Sequence, residues 1–153
     1  MEILSENRKA GFEYEILEKL DAGIELKGYE VKSVKIGRFA ITGALCAPHV
    51  TRSTGSGQAE LFLMNSDIPP YQPLNTPAGY DSKRPRRLLV TKKEVNHLIG
   101  SFNKGMKIIP LKVFVKNNLI KVEIALVRNK RKGDKREYLQ KKDSRKEIKR
   151  ILA

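Results

Sequence analysis

The sequence predicts a mainly β fold with flanking α-helices, a small antiparallel barrel or sandwich that is followed by a basic tail. Several short apolar runs alternate with polar residues and are separated by glycine-marked bends, and one segment has a clear helical start. Residues 128–153 hold twelve Lys or Arg against four Asp or Glu and have few apolar residues to bury. We therefore predict a domain at residues 1–127 and a tail at residues 128–153.

The first elements are predicted from alternation. In residues 12–16, apolar side chains alternate with glutamates, which is typical of a half-buried strand. Asp21-Ala22-Gly23 then predicts a turn, and residues 24–28 suggest a second short strand. Residues 29–36 carry two valines three apart, which predicts one or two helical turns that end at Gly37.

The middle of the chain predicts a hairpin and then an irregular connection. The β-prone runs at residues 39–50 and 59–64 are separated by a glycine-containing loop at residues 51–58. No GK[ST] follows that loop, so it is not a phosphate cradle. Five prolines in residues 66–87 exclude a long helix and predict an extended connection.

The best-marked helix begins at Thr91. Thr91 and Glu94 form a capping-box pattern, and residues 95–99 supply an apolar helix face. We expect Gly100 to end this helix.

The last pair of strands is predicted by two alternating apolar runs, at residues 109–115 and 120–126. Asn117 and Asn118 between them suit a turn with positive φ. Pro110 lacks a backbone donor, so its strand should be bulged or lie at an edge there. An OB-like barrel is one fold that accommodates all these elements.

The tail carries a net charge of +8, out of +14 for the whole chain. Its apolar residues are too few for a continuous helical stripe, so we expect it to be disordered when free. Its Lys, Arg, Glu and Gln residues are good helix formers, and a helix is expected once an anionic surface neutralises the repulsion. This composition predicts a polyanionic partner, with a solvated tail as the alternative.

Several classes of protein are disfavoured. The single Cys46 excludes an intrachain disulfide and offers no zinc cluster, and we expect it to be buried. The sequence shows no long apolar span and no signal-peptide pattern, so a cytoplasmic location without a membrane role is expected. With two histidines, His49 and His97, and no catalytic motif, we predict no enzyme activity, no catalytic residues, no metal and no cofactor.

Basic residues form three islands: Arg8-Lys9, residues 83–87 and the tail. On a small barrel, such islands suggest recognition of a folded RNA through its backbone and shape. DNA is the weaker choice because the sequence has no helix-turn-helix or zinc finger.

The order and spacing of several motifs resemble the SmpB family of SsrA-binding proteins. The motifs are Asn7-Arg8-Lys9-Ala10, Ala22-Gly23-Ile24-Glu25-Leu26-Lys27-Gly28-Tyr29-Glu30-Val31-Lys32-Ser33, Arg84-Pro85-Arg86-Arg87-Leu88-Leu89, Glu94, Leu98-Ile99-Gly100, Ile109-Pro110-Leu111-Lys112 and Asp134-Lys135-Arg136. The resemblance departs from the usual pattern at Asp21, where the family has Glu, and at Gly133, where it commonly has an aromatic residue or His.

The resemblance implies an OB-like barrel that binds the tRNA-like domain of transfer-messenger RNA and helps to deliver it to stalled ribosomes in trans-translation. It further implies that the basic tail enters the empty mRNA channel near the decoding region of the small subunit and becomes helical there. Elongation factor Tu would be a partner through the shared RNA.

The resemblance also implies site residues. The RNA-binding set has two parts. Residues that would belong to or support the RNA-binding face are Asn7, Asp21, Glu30, Lys32, Leu88 and Leu89, and residues that would contact phosphates are Arg8, Lys9, Lys35, Arg86 and Arg87. The ribosome-binding set in the tail is Lys130, Arg131, Lys132, Asp134, Lys135, Arg136, Lys141, Lys142, Arg145, Lys146, Lys149 and Arg150. Simple core packing is the alternative for the two leucines. Glu30 on an RNA face would need hydrogen bonds from bases, riboses or a neighbouring cation.

Two other functions stay open at this point. A ribosomal-type protein that binds ribosomal RNA would also carry a basic tail, and a nucleic-acid enzyme could use a site assembled across the fold. A membrane-surface role is weaker, because the tail lacks the Trp, Phe and Leu face of interfacial helices.

Overall fold

The computed structural model describes residues 2–50, 59–72, 74 and 76–130. In this part of the chain the elements are β1 (Glu2–Glu6), α1 (Ala10–Glu13), β2 (Tyr14–Ile24), α2 (Gly28–Lys35), β3 (Leu45–Val50), β4 (Ala59–Met64), β5 (Arg86–Leu89), α3 (Lys92–Asn103), β6 (Lys107–Lys116) and β7 (Leu119–Asn129). The loop predicted at residues 51–58 and the tail beyond Lys130 lie outside the described residues.

The described strands form one antiparallel sheet in the order β1-β6-β3-β4-β5-β2-β7, and β6 also pairs with β7. That additional pairing joins the two sides of the sheet, so β2 to β7 form a closed ring of strands. β1 lies outside the ring and pairs with the second half of β6. The predicted mainly β fold with flanking helices and an OB-like barrel is confirmed.

The barrel encloses the main hydrophobic core. Strand residues such as Leu61, Leu63 and Ile124 are buried there, with Val34 of α2 and Leu98 of α3 packed against them. Because alternate residues of each strand point inward, the period-two runs of the sequence become the core face.

The two longer helices begin as expected, but one ends later. α2 is followed by Gly37, which has a φ of +84°. At the start of α3 the Glu94 N–H donates to the Thr91 hydroxyl at 3.2 Å, and the Thr91 N–H donates to the Glu94 carboxylate at 3.0 Å. The helix does not stop at Gly100, since one interior glycine costs only about 1 kcal/mol. It ends at Asn103, and Gly105 with a φ of +92° follows.

The last hairpin is confirmed in detail. β6 and β7 pair along their length, and the turn residues Asn117 and Asn118 have φ values of 53° and 62°. The register shifts between Pro110 and Lys112, which is the predicted bulge. The missing N–H of Pro110 therefore interrupts the hydrogen-bond ladder at the position predicted from the sequence.

The predicted turn at Asp21-Ala22-Gly23 is wrong. These residues continue β2 and pair with residues 121–123 of β7. They are small for another reason: Ala22 is fully buried, and a Cβ on Gly23 would lie 3.2 Å from Leu89 Cβ. The predicted separate strand at residues 24–28 is also wrong, because β2 ends at Ile24.

Four further differences from the predictions concern whole elements or their ends. β1 was not predicted, because its glutamates obscure the apolar alternation by which strands are recognised. It pairs by backbone hydrogen bonds with β6. β5 was not predicted either, since its first residues are two arginines. Residues 10–13 form α1, so the first long strand begins at Tyr14 and not at residue 12. At the other end β7 extends to Asn129, beyond the predicted domain boundary at 127.

Candidate nucleic-acid interface

Glu30 and Arg86 form a buried ion pair between α2 and β5. Both side chains are 0% exposed. Arg86 Nη2 and Nε donate to Glu30 Oε2 at 2.7 Å and 3.0 Å. The pair therefore attaches the helix to the barrel wall.

The other donors of Arg86 also have partners. Nη1 donates to the Ser66 hydroxyl at 3.1 Å, and Nη2 donates to the Ser82 carbonyl oxygen at 2.8 Å. The guanidinium carbon lies 5.9 Å from the centre of the Phe39 ring. A charged group is tolerated inside a protein when it is paired and hydrogen-bonded in this way.

Tyr80 joins the proline-rich segment to the same cluster. Its hydroxyl donates to the Ile68 carbonyl oxygen at 2.8 Å and lies 3.2 Å from Glu30 Oε2. Its ring meets the ring of Tyr29 edge-on, with 5.2 Å between centroids. The connection between β4 and β5 is thereby held against α2.

Arg84 reaches Glu30 from the surface. Its Nη2 donates to Glu30 Oε1, which also accepts the Lys27 backbone N–H at 2.9 Å. The Arg84 side chain is 26% exposed. Glu30 thus holds two arginines, one wholly internal and one at the protein surface.

The surroundings of Glu30 keep it ionised. Burial alone would raise the pKa of Glu30, but the Lys27 N–H and the guanidinium groups of Arg84 and Arg86 outweigh it and lower that pKa below 4.5, its ordinary value. Burial and the nearby Glu30 carboxylate raise the pKa of Tyr80. The cluster therefore contains a carboxylate, two guanidinium cations and a neutral phenol.

This geometry corrects one expectation and narrows another. Arg86 was predicted to contact phosphate, but its side chain is enclosed and directed at Glu30. Glu30 was expected to belong to or support the RNA-binding face, and it is buried, with hydrogen bonds from two arginines and the Lys27 N–H. Of the three kinds of partner expected for Glu30, the structure contains the cation.

The predicted residues of β5 meet β2. Leu88 is buried in the core, which agrees with the packing alternative, while Leu89 is 48% exposed and lies opposite Gly23. Asp21 is exposed on β2, two positions before Gly23. Arg87 is 47% exposed, and its Nη atoms lie 3.8 Å from a Glu25 carboxylate oxygen and 3.4 Å from one of Glu60.

A groove runs beside these strands. It has a volume of about 620 Å³ and lies between β4, β5 and the first turn of α3, with Arg87, Leu89 and Lys92 among its lining residues. A shallower pocket near α2 is lined by Lys32 with Tyr29 and Tyr71. Both are open clefts. Glu60 and Glu94 line the larger groove beside Arg87 and Lys92, whereas Lys32 is the charged residue of the pocket near α2, which therefore suits an anionic ligand better.

Asn7, Arg8 and Lys9 lie between β1 and α1, and Asn7 is attached to β6. The Asn7 side-chain amide donates to the Pro110 carbonyl oxygen at 3.2 Å. Arg8 is largely exposed, with Nε 3.6 Å from a Glu6 carboxylate oxygen, and Lys9 is exposed. Lys35 is exposed in the last turn of α2. Among the described residues, the hydrogen bonds of Asn7 join it to Ala10 and to β6, not to β2 or β5.

Of the predicted tail residues, Lys130 is described. Its Nζ donates to the Gly11 carbonyl oxygen at 2.6 Å, so the start of the tail is attached to α1. The other tail residues lie outside the described residues: Arg131, Lys132, Asp134, Lys135, Arg136, Lys141, Lys142, Arg145, Lys146, Lys149 and Arg150.

Sequence reasoning missed Arg84 and Tyr80 as members of the cluster. For Arg84 a signal was present, because residues two apart on an extended chain point to the same side, and Arg84 precedes Arg86 by two. Tyr80 gave no such signal, since it lies in an irregular segment whose path the sequence does not determine.

Other candidate chemistry is limited in the described ranges. They contain no group of three His, Cys, Asp or Glu side chains that could hold a metal ion. Nor does any helix in the described part of the chain have the length and apolar character needed to cross a bilayer. His97 is an exposed residue whose Nε2 lies 2.7 Å from a Glu18 carboxylate oxygen. Cys46 is buried, as predicted.

Comparison with known proteins gives a consistent result. The family described as SmpB protein matches residues 4–153. An SsrA-binding protein of Carboxydothermus hydrogenoformans is 40% identical over 151 residues, which cover 98% of this chain and 95% of the relative. One from Thermosipho melanesiensis is 40% identical over 156 residues and covers 99% of both chains.

A solved structure is similar as well. It is described as "tmRNA-SmpB: a journey to the center of the bacterial ribosome", and its matching chain has a TM-score of 0.63 and 37% sequence identity. The match covers 88% of this chain and 93% of that one. The sequence relationship thus extends to the fold.

Proposed function

This chain belongs to the SmpB family, and on that premise we propose that it binds the tRNA-like domain of transfer-messenger RNA and helps to deliver it to stalled ribosomes in trans-translation. One observation carries the proposal: the match to SsrA-binding proteins is nearly full-length and includes a chain from a tmRNA–SmpB–ribosome structure. The function is RNA binding, and the buried cluster supports a structural role for its acidic residue.

The surface chemistry fits this function. Arg84 reaches the surface, Leu89 is 48% exposed, and an open pocket lined by Lys32 lies near α2. Cations supply contacts to phosphate, while an exposed apolar side chain packs against ribose or base. Such a surface favours recognition of a shaped RNA.

The tail, the partner factor and the location belong to the same proposal. We expect residues 131–153 to bind the empty mRNA channel and to become helical there. Their positive charge favours binding to a polyanion, and their composition permits a helix. Elongation factor Tu would join through the shared RNA, and the cytoplasm is where all these partners meet.

RNA binding is tested with a labelled transcript of the tRNA-like domain. The full-length protein is titrated into it and, as a control, into a hairpin of the same length and base composition. We expect tighter binding to the tRNA-like transcript at every salt concentration. Equal binding to both would contradict the proposed function, because charge alone binds any RNA.

The tail is tested by ending the chain after Lys130, which preserves the contact of Lys130 with Gly11. We expect this variant to bind the transcript with nearly wild-type affinity but to fail in tagging peptides on stalled ribosomes. Tagging at the wild-type rate would contradict the role of the tail. Stoichiometric association with translating polysomes would instead favour a ribosomal-type protein.

A further inference from the structure

We propose that Arg84, held in position by Glu30, is the arginine of residues 83–87 that binds an RNA phosphate. The proposal rests on the proposed function and assigns to Arg84 the phosphate contact that the family resemblance implied for Arg86. It follows from the charges, the burial and the hydrogen bonds of this segment.

The charges around the three arginines differ. Arg86 is internal and neutralised by Glu30. Arg87 lies between the carboxylates of Glu25 and Glu60, so its own positive charge is locally outweighed. Arg84 shares the single carboxylate of Glu30 with a second arginine, and the cluster therefore keeps one positive charge in excess.

That excess charge emerges at the surface through Arg84. Its partner Arg86 is fully buried, whereas the Arg84 side chain is 26% exposed. An anion approaching from solvent therefore meets Arg84 and cannot reach Arg86. Unlike Arg87, Arg84 forms an ion pair with one carboxylate in the described part of the chain, that of Glu30.

Hydrogen bonds fix how the Arg84 guanidinium is presented. Nη2 donates to Glu30 Oε1, and Nη1 donates to the Pro85 carbonyl oxygen at 3.3 Å. Its Nε is buried without a hydrogen-bond partner in the described residues. A guanidinium carries five N–H donors, and because Nε is enclosed, the second N–H of Nη1 and the second N–H of Nη2 are the ones available for phosphate oxygens.

Pre-positioning is the functional gain of this arrangement. A free surface arginine loses side-chain entropy when it binds, whereas one already fixed by Glu30 has lost that freedom on folding. The planar fork also binds phosphate through two parallel N–H groups, which a lysine ammonium cannot reproduce.

The test uses the full chain and the labelled tRNA-like transcript, with dissociation constants measured over a range of salt concentrations. We expect Arg84→Gln to weaken binding about tenfold, as for loss of a hydrogen bond to a charged group. Its log–log salt slope should be shallower by about 0.7–0.9, the value for one released phosphate contact. Arg84→Lys should keep the wild-type slope and recover only part of the affinity.

Two further variants separate position from charge. Lys83→Gln removes the adjacent exposed charge and should change affinity by no more than about fivefold, with the salt slope unchanged. Glu30→Asp keeps the internal carboxylate but shortens its reach to Arg84. It should weaken RNA binding in the wild type but have little effect in the Arg84→Gln background. Urea unfolding identifies any variant that has lost its fold.

The outcomes are distinct. If the wild type prefers the tRNA-like transcript but Arg84→Gln keeps the wild-type affinity and salt slope, the inference about Arg84 is overturned while the proposed function stands. Wild-type affinity in Arg84→Lys would contradict a requirement for the positioned guanidinium. A loss of salt slope in Lys83→Gln as large as that in Arg84→Gln would also contradict it, because the effect would then not be specific to Arg84. A Glu30→Asp effect of equal size in both backgrounds would overturn the role of Glu30. If the wild type does not prefer the tRNA-like transcript over the control hairpin, the proposed function fails and the inference fails with it.

Discussion

Replacing Glu30 with Gln should strongly destabilise the domain. The carboxylate accepts two hydrogen bonds from Arg86 and one each from Arg84 and the Lys27 N–H. A glutamine amide carries no charge, and its NH₂ group must face donors. Arg86 would keep its positive charge in a site with 0% exposure. Breaking a buried pair in this way costs about 3–5 kcal/mol, a large part of the 5–15 kcal/mol typical of a domain.

The assay is urea unfolding at neutral pH, followed by far-ultraviolet circular dichroism because the chain has no Trp. The matched control is Arg128→Gln, since Arg128 Nε lies 2.6 Å from a Glu15 carboxylate oxygen with both side chains well exposed. Its loss should cost no more than about 1 kcal/mol, as is usual for surface ion pairs. The two substitutions remove ion pairs of similar length that differ in burial.

A second arm tests the cause. Because the pKa of Glu30 is lowered on folding, its contribution to stability is present above the unfolded value of 4.5 and is lost as pH falls through the lower folded pKa. The difference in unfolding free energy between wild type and Glu30→Gln should therefore shrink on acidification. Glu94, whose pKa is also lowered, is present in both proteins and cancels.

The reasoning would be refuted by a Glu30→Gln variant within about 1 kcal/mol of the wild type, the range of an exposed pair. A stability difference that does not change with acid would refute the electrostatic cause. Adding Arg86→Met should show coupling of about 0.5–3 kcal/mol, because the second change removes the orphaned charge. Strict additivity would mean that the two residues do not act as a pair.

Three other predictions concern single residues. Thr91→Ala should lower the unfolding free energy by about 1 kcal/mol through loss of the α3 cap, whereas Thr91→Ser should not, and equal urea midpoints for all three proteins would contradict this. Asn118→Ala should cost about 1–2 kcal/mol because φ is 62°, while Asn118→Gly should cost less, and the same unfolding series decides it. Burial raises the pKa of the Cys46 thiol far above its usual range, so alkylation by iodoacetamide should follow global unfolding, and rapid labelling of the native protein would count against it.

The parts of the fold that the sequence predicted are those determined locally. The capped start of α3 and the turn at Asn117-Asn118 depend on residues within a few positions of one another. Periodic apolar runs then identified β6 and β7. Each of these signals survives folding because the tertiary structure agrees with it.

The errors come from residues whose environment is set by distant strands. Gly23 resembles a turn residue in sequence, but its small size serves the close approach of Leu89 on another strand. Arg86 resembles a surface cation, yet Glu30, which lies 56 positions earlier, makes its burial possible. Neither fact can be read from neighbouring residues, since each depends on a contact that exists after the barrel has closed.

The same was true of the candidate site. The family motifs identified the segments that contain Glu30, Arg86 and Arg87, but not the division between internal and external charges. That division is set by the inward direction of alternate residues on β5 and by the path of the preceding irregular segment. The sequence therefore named the right stretch of chain and assigned one arginine the wrong role.

The pairing of β2 with β7 determines when the barrel can be completed during synthesis. β2 ends at Ile24, and its partner strand begins at Leu119, so β2 lacks that partner until most of the polypeptide has left the ribosome. A fragment cut short before β7 would leave two unpaired edges, on β2 and on β6, and such edges promote aggregation. Closure of the ring thus requires translation to continue through the codons of β7.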